Sequence, residues 1–160
     1  MGGYTLYRPE EDQFLHTRGW LLDMICTLLG GTVAEEVAYG EVSDGATSDL
    51  QRATQIARKM VAEFGMSPRI GRVSYQAEGR SPFLSGGGAN DYAWSQQTAR
   101  EIDLEVRRLL DESQAAAHRI LADRRDALEA ITAALLERES IDAAELQAIL
   151  DGHPYEPDAA

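Results

Sequence analysis

Apolar residues recur at helical spacing along most of this 160-residue chain, and this pattern restricts the possible fold more than any other feature. The first such stripe has intervals of three or four residues and comprises Leu22, Ile25, Leu29, Val33 and Val37. These intervals place side chains on one face of an α-helix, whereas a half-buried strand would alternate with a period of two. Thr17 lies just before the stripe and has a hydroxyl that can cap a first helical turn. We therefore predict a helix that begins near Thr17.

Two adjacent glycines, Gly30 and Gly31, fall inside this first stripe. Glycine in a helix interior costs about 1 kcal/mol relative to alanine, so two in succession are unfavourable there. We expect either a break in the helix at this point or a close approach of another backbone.

Further segments show the same helical period. The second stripe ends at the stop signals Gly65 and Pro68 and comprises Leu50, Ala53, Ala57, Met60, Val61 and Phe64. A long helix is predicted over residues 91–123, with Trp94, Ile102, Val106, Leu109, Ala116 and Ile120 on one face, and further helix over 127–151. Asp142, followed by Glu145 as a capping-box acid, predicts the start of the last helix.

Two short segments favour strands. GYTLY at residues 3–7 and GRVSYQ at 71–76 are rich in β-branched and aromatic residues. The predicted fold is mainly α, a multi-helix single domain with one or two short edge strands. This domain is expected to span residues 1–151, with a flexible tail at 152–160.

Composition limits the partners and the compartment. The formal net charge of −12 argues against a nucleic-acid partner, which requires clustered lysine and arginine. The single cysteine excludes an internal disulfide. No run reaches the roughly 18 apolar residues of a membrane span. We therefore expect a soluble, cytoplasmic chain.

Acidic residues are the candidates for chemistry. The three histidines form no His-x-x-x-His pair, and no glycine-rich phosphate loop is present. Asp49 stands in the first turn of the second predicted helix, where an acid can simply complement the helix dipole. Glu35 and Glu36 interrupt an apolar helix; they either face solvent, or one is buried and needs a cationic partner.

Three long blocks carry a family resemblance: GGYTLYRPEED, LLGGTVAEEVAYGEVSDGATSDLQRATQIARKMVAEFGMSPRIG and TAREIDLEVRRLLDE. They resemble the C-terminal part of the protease domain of FtsH-type enzymes, which are membrane-anchored, ATP-dependent AAA zinc metalloproteases. The similarity runs in order from about residue 2 to about residue 151.

The resemblance implies roles for individual residues. Asp49, in GATSDLQRAT, matches the aspartate that binds the family's zinc together with the two histidines of a His-Glu-x-x-His helix. Glu35 matches an acid close to the metal, where it would orient a histidine ligand. The segment containing Gly3, Tyr4, Thr5 and Leu6 resembles the edge strand to which a polypeptide substrate adds as an extra strand.

The chain departs from the family by containing no His-Glu-x-x-His. We therefore expect it to have no catalytic residue of its own and to be inactive alone. The resemblance implies Zn²⁺ in the complete protease domain, and ATP with Mg²⁺ only through an AAA module outside this sequence. It also implies a homo-hexamer, anchored in the inner membrane through other segments and facing the cytoplasm. The alternatives are a non-catalytic helical interaction or oligomerisation module with the same fold, and an unrelated helical bundle.

Overall fold

A computed structural model describes residues 5, 15–75 and 94–152 of the chain. These residues form five α-helices: α1 (Arg18–Tyr39), α2 (Thr47–Ala62), α3 (Gln96–Asp123), α4 (Arg125–Arg138) and α5 (Ala143–Leu150). A short 3₁₀ helix, Asp44–Ala46, precedes α2. The prediction of a mainly α, multi-helix fold is confirmed. Among these described helices, none is both long and apolar enough to cross a bilayer.

Contacts divide the chain into two compact units. The first comprises Met1–Ile25 and Ala53–Leu110, and the second comprises Cys26–Arg52 and Asp111–Ala160. The buried apolar side chains of the first unit are Leu21, Ile25, Ala53, Ala57, Met60, Val61, Ala62, Ile102, Val106 and Leu109. Those of the second unit are Leu29, Val33, Ala117 and Ala134.

Helix α1 begins as predicted but does not break at the two glycines. The Thr17 hydroxyl accepts a hydrogen bond from the Trp20 backbone N–H at 3.2 Å. The helix then continues through Gly30 and Gly31, and no other described atom lies within 4 Å of a Cβ placed on either one. Both expectations, a break and a close backbone approach, are therefore wrong for the described residues. Burial of side chains such as Val33, each stabilising by about 1.5–3 kcal/mol, outweighs the propensity cost.

Helix α2 follows its predicted stripe in the middle and departs from it at the ends. Ala53, Ala57 and Met60 are fully buried, whereas Leu50 and Phe64 are 52% and 51% exposed. The predicted stop is confirmed at Gly65, which has a φ of +60°. A Cβ at this position would lie 3.1 Å from the Cα of Arg72, so the backbone requires glycine here.

The strand predicted over residues 71–76 is not formed in its described part, 71–75. Its backbone N–H groups donate instead to the preceding turn and helix: Gly71 to the Ser67 carbonyl at 2.9 Å, and Tyr75 to the Ala62 carbonyl at 2.6 Å. Two separate bonds of this kind provide no ladder, and the described residues offer no partner strand. The other predicted strand, residues 3–7, lies outside the described residues except for Thr5, which has no regular structure.

The C-terminal helices follow the predicted ends more closely than the predicted starts. Helix α3 ends at Asp123 as predicted but begins at Gln96 rather than at residue 91, and α4 begins at Arg125 rather than at residue 127. Arg124 forms the turn between α3 and α4, and Asp142 caps α5 by accepting the Glu145 backbone N–H at 2.8 Å. Only half of the capping box forms, because the buried Glu145 carboxylate pairs with the Arg138 guanidinium instead. On α3, the predicted apolar residues Ile102, Val106 and Leu109 are buried, but Ile120 is 57% exposed.

A buried glutamate, Glu105, joins α3 to the turn after α2. The Glu105 side chain is 1% exposed, and its Oε1 accepts the Ser67 hydroxyl at 2.7 Å. Arg108, one turn further along α3, donates to both carboxylate oxygens at 2.8 and 2.7 Å. Ser67 Oγ also accepts the backbone N–H groups of Arg69 and Ile70, each at 3.2 Å, which closes the turn. This network positions the segment that follows Gly65.

The same contacts keep Glu105 ionised. The hydrogen-bonded Arg108 guanidinium lowers the pKa of the Glu105 carboxyl below its usual value of 4.5. Burial acts in the opposite direction, while the Ser67 hydroxyl and the charge of Arg69 lower the pKa further. Glu105 was not among the residues that the sequence pattern singled out. The available signal was a carboxylate placed inside the stripe of Ile102, Val106 and Leu109, with an arginine three residues later.

Candidate functional site

Asp49, the residue singled out by the sequence, occupies the first turn of α2. Its side chain is exposed, and it forms no hydrogen bond or ion pair with another residue of the described ranges. An acid here is favoured by the positive end of the helix dipole, typically by 0.3–1 kcal/mol. Because its oxygens have no described protein partner, the carboxylate is available to an incoming cation.

The second predicted site residue, Glu35, contacts the segment that leads into α2. Glu35 lies four residues before the end of α1 and is half-buried. Its Oε2 accepts the Ser43 backbone N–H at 2.8 Å, and its Oε1 accepts the Ser43 hydroxyl at 2.9 Å. Its neighbour Glu36 is exposed. Of the two acids, Glu35 is therefore the less exposed one, and its partner is a serine rather than the predicted cation.

The chain between Glu35 and Asp49 forms a series of local turns. Gly40 leaves α1 with a φ of +73°, and its N–H donates to the Glu36 carbonyl at 2.9 Å. Ser43 then caps the 3₁₀ helix by accepting the Gly45 N–H at 3.3 Å. The Thr47 hydroxyl donates to the Asp44 carbonyl at 2.6 Å, where α2 begins. Side-chain hydrogen bonds of this kind are the usual means of ordering a turn before a helix.

The predicted metal ligand of the described residues is Asp49. A carboxylate oxygen suits zinc, which it binds at about 2.0–2.2 Å, and Asp49 offers such oxygens on a rigid helix. However, residues 5, 15–75 and 94–152 contain no group of three or more His, Cys, Asp or Glu that could hold a metal. The role of Asp49 as a zinc ligand therefore stays a prediction, and the described residues do not complete a ligand set around it.

The second unit also contains an apolar groove between the end of α1 and α4. It has a volume of about 300 Å³, and Val37, Leu128 and Leu136 contribute to its lining. Tyr39 and Leu136 on its rim are 81% and 82% exposed. Arg125 crosses the groove wall, with its guanidinium 2.9 Å from Glu129 and 3.5 Å from the Val37 carbonyl. The groove has few polar groups that could orient a reacting substrate.

The predicted substrate-binding residues Gly3, Tyr4 and Leu6 lie outside the described residues, and Thr5 is exposed. Their role stays a prediction. Ser43 is the site residue that sequence analysis missed, because a serine in a polar turn gives no sign of the acid that it contacts eight residues earlier.

Comparison with known proteins places these features in a family. The profile of peptidase family M41 matches residues 1–149, which include both Glu35 and Asp49. The chain belongs to peptidase family M41. The family resemblance seen in the sequence is thereby confirmed.

Curated relatives of this M41 chain have one name in common. The ATP-dependent zinc metalloprotease FtsH of Bacillus subtilis (strain 168) is 46% identical over 151 residues, which cover 94% of this chain and 24% of the relative. FtsH 1 of Thermomicrobium roseum is 44% identical, covering 94% of this chain and 23% of the relative. FtsH of Syntrophobacter fumaroxidans is 46% identical, covering 91% and 23%. The M41 chain thus spans about a quarter of the length of these relatives.

Proposed function

We propose that this chain is part of an ATP-dependent zinc metalloendopeptidase that degrades unfolded or membrane-extracted proteins. The observation that carries the proposal is Asp49, an exposed carboxylate without a described partner at the start of α2. Membership of the M41 peptidases and the similarity to ATP-dependent zinc metalloproteases support zinc as the cation that Asp49 binds.

Asp49 contributes one oxygen donor to the metal in this proposal. A zinc ion held by Asp49 and two histidines would supply Lewis acidity for a peptide carbonyl and would make a water molecule more acidic. The chain's own part is to hold the Asp49 oxygen in place, because α2 fixes its backbone. Glu35 remains a candidate to orient a histidine ligand, since each carboxylate oxygen can accept a further hydrogen bond besides the one from Ser43.

The remaining components lie outside this sequence. A His-Glu-x-x-His segment would supply two zinc ligands and the general base, and an AAA module would bind ATP and Mg²⁺. Within this chain, the segment from Gly3 to Leu6 would bind the substrate main chain as an added strand. We further propose a homo-hexamer that is anchored in the inner membrane by other segments, with this domain facing the cytoplasm. The isolated chain is expected to be inactive and to bind zinc weakly.

The test is Asp49→Asn in the complete polypeptide that the gene encodes. We expect loss of casein cleavage and weaker zinc binding, because the amide keeps the shape but loses the charge. Asp44→Asn, an exposed acid five residues earlier, is the matched control and should retain both. Normal zinc binding and turnover in Asp49→Asn would contradict the proposal.

The apolar groove favours a second candidate function, a non-catalytic helical interaction or oligomerisation module. Exposed Tyr39 and Leu136 are the kind of side chains that a protein partner covers. The Asp49→Asn test distinguishes the two functions. A module would assemble normally and show no casein cleavage with or without Asp49, whereas a protease depends on that residue.

A further inference from the structure

We propose that Ser43 is a positioning residue for Asp49, acting as the link between Glu35 and the first turn of α2. This inference rests on the proposed function, in which Asp49 binds zinc. In this inference Ser43 orders the polar turn before α2, and Glu35 acts through its hydrogen bonds to Ser43.

The contact between Glu35 and Ser43 fixes orientation as well as position. Two donors of one residue, the Ser43 N–H and hydroxyl, reach the two oxygens of one carboxylate at 2.8 and 2.9 Å. A single hydrogen bond would leave Ser43 free to rotate about it, whereas two parallel bonds do not. Both have a charged acceptor, which makes them about twice as strong as neutral ones.

Ser43 passes this constraint on to α2. While its hydroxyl donates to Glu35, the same oxygen accepts the Gly45 N–H at 3.3 Å and caps the 3₁₀ helix. At the other end of that helix, the Thr47 hydroxyl donates to the Asp44 carbonyl at 2.6 Å. Asp49 follows two residues later within α2. Because every step is a turn or a helix with a fixed backbone, the direction of the Asp49 side chain depends on Ser43.

A metal ligand is sensitive to this kind of support. Zinc accepts a carboxylate oxygen only within a narrow distance range, so a small rotation of the first turn weakens the bond. Residues that orient ligands typically change metal affinity or activity by about 10–100-fold when they are mutated. We expect a loss of this size in Ser43→Ala, which removes the hydroxyl that both donates to Glu35 and caps the turn.

The experiment compares four variants of the complete polypeptide with the wild type. Ser43→Ala and Glu35→Gln should weaken zinc binding by about 10–100-fold, as measured by chelator competition, and lower kcat for casein. Ser43→Thr keeps the hydroxyl and should restore both values. Glu36→Gln is the control for Glu35→Gln, because Glu36 is exposed and its carboxylate has no recorded contact in the described region.

A second readout tests the structural link without any metal. In the 160-residue chain, hydrogen exchange of the Gly45 and Thr47 amides should become faster in Ser43→Ala and in Glu35→Gln, but not in Glu36→Gln. A role of Glu35 confined to a histidine ligand would leave these amides unchanged in Glu35→Gln.

The outcomes separate this inference from the proposed function. If Ser43→Ala binds zinc like the wild type while Asp49→Asn does not, the positioning role is wrong and the proposed function stands. If Asp49→Asn binds zinc normally, the proposed function fails, and the positioning role fails with it. Should Ser43→Ala not fold, amide exchange at Gly45 and Thr47 decides the question: faster exchange in Glu35→Gln than in Glu36→Gln supports the positioning role, and equal exchange contradicts it.

Discussion

The buried carboxylate of Glu105 offers the sharpest test of the fold. Glu105→Gln keeps the volume of the side chain but removes its charge and turns one acceptor oxygen into a donor NH₂ group. Three side-chain donors, one from Ser67 and two from Arg108, reach the carboxylate at 2.7–2.8 Å. At least one of them must lose its acceptor, and the others lose the charged partner. Each hydrogen bond to a charged group contributes about 1.5–3 kcal/mol.

The expected loss in the free energy of unfolding is about 3 kcal/mol at neutral pH, at the lower end of the range for a broken buried pair. The lower end applies because the Arg108 side chain is 30% exposed and can bind water. Urea denaturation of the 160-residue chain measures the change. The matched control is Asp103→Asn on the same helix, whose pair with Arg58 has a similar distance of 3.0 Å but side chains that are 60% and 66% exposed. That variant should lose less than about 1 kcal/mol.

The pH dependence follows from the lowered pKa of Glu105. A carboxyl with a lower pKa in the folded state stabilises the fold above its unfolded pKa, close to 4.5, and the effect disappears as pH falls through the folded value. The difference in the free energy of unfolding between wild type and Glu105→Gln should therefore be largest at neutral pH and decrease below pH 4.5. Equal losses in Glu105→Gln and Asp103→Asn, or a difference that does not shrink in acid, would refute the assigned network.

Two further predictions concern local backbone and can be measured by the same urea titration. Gly31→Ala should stabilise the chain by about 1 kcal/mol, since the added Cβ meets no described atom within 4 Å and the helix is continuous there. Gly65→Ala should destabilise it by about 1–2 kcal/mol, because Gly65 has a φ of +60° and an added Cβ would lie 3.1 Å from the Arg72 Cα. Equal effects of the two substitutions would contradict the assignment of α1. Asp142→Ala should cost about 1 kcal/mol, since the Glu145 N–H loses its acceptor. No change in that variant would mean that α5 is held by packing alone.

Helical period and end signals were sufficient to predict most of the fold. Thr17, Gly65 and Asp142 each mark a boundary through a local contact that involves nearby residues. The errors arose where longer-range packing decides the outcome. Gly30 and Gly31 do not break α1, because the buried side chains on its face outweigh their low propensity. Residues 71–75 have strand-like composition but no described partner strand.

The candidate site was less accessible to sequence reasoning. The spacing of residues left Asp49 with two interpretations, and only the family resemblance favoured a metal ligand. Its exposure and its lack of a described partner fit that role. The contacts of Ser43 with Glu35 and of Ser67 with Glu105 could not be predicted, because a hydrogen bond between residues 8 or 38 positions apart leaves no periodic pattern in the sequence.

The described hydrogen bonds that order the start of α2 all join residues between Glu35 and Thr47, at separations of two, three or eight positions. The geometry around Asp49 is therefore encoded in one short contiguous stretch of the gene. An insertion inside this stretch would therefore act directly on the start of α2, because it would separate Glu35 from Ser43 or Asp44 from Thr47.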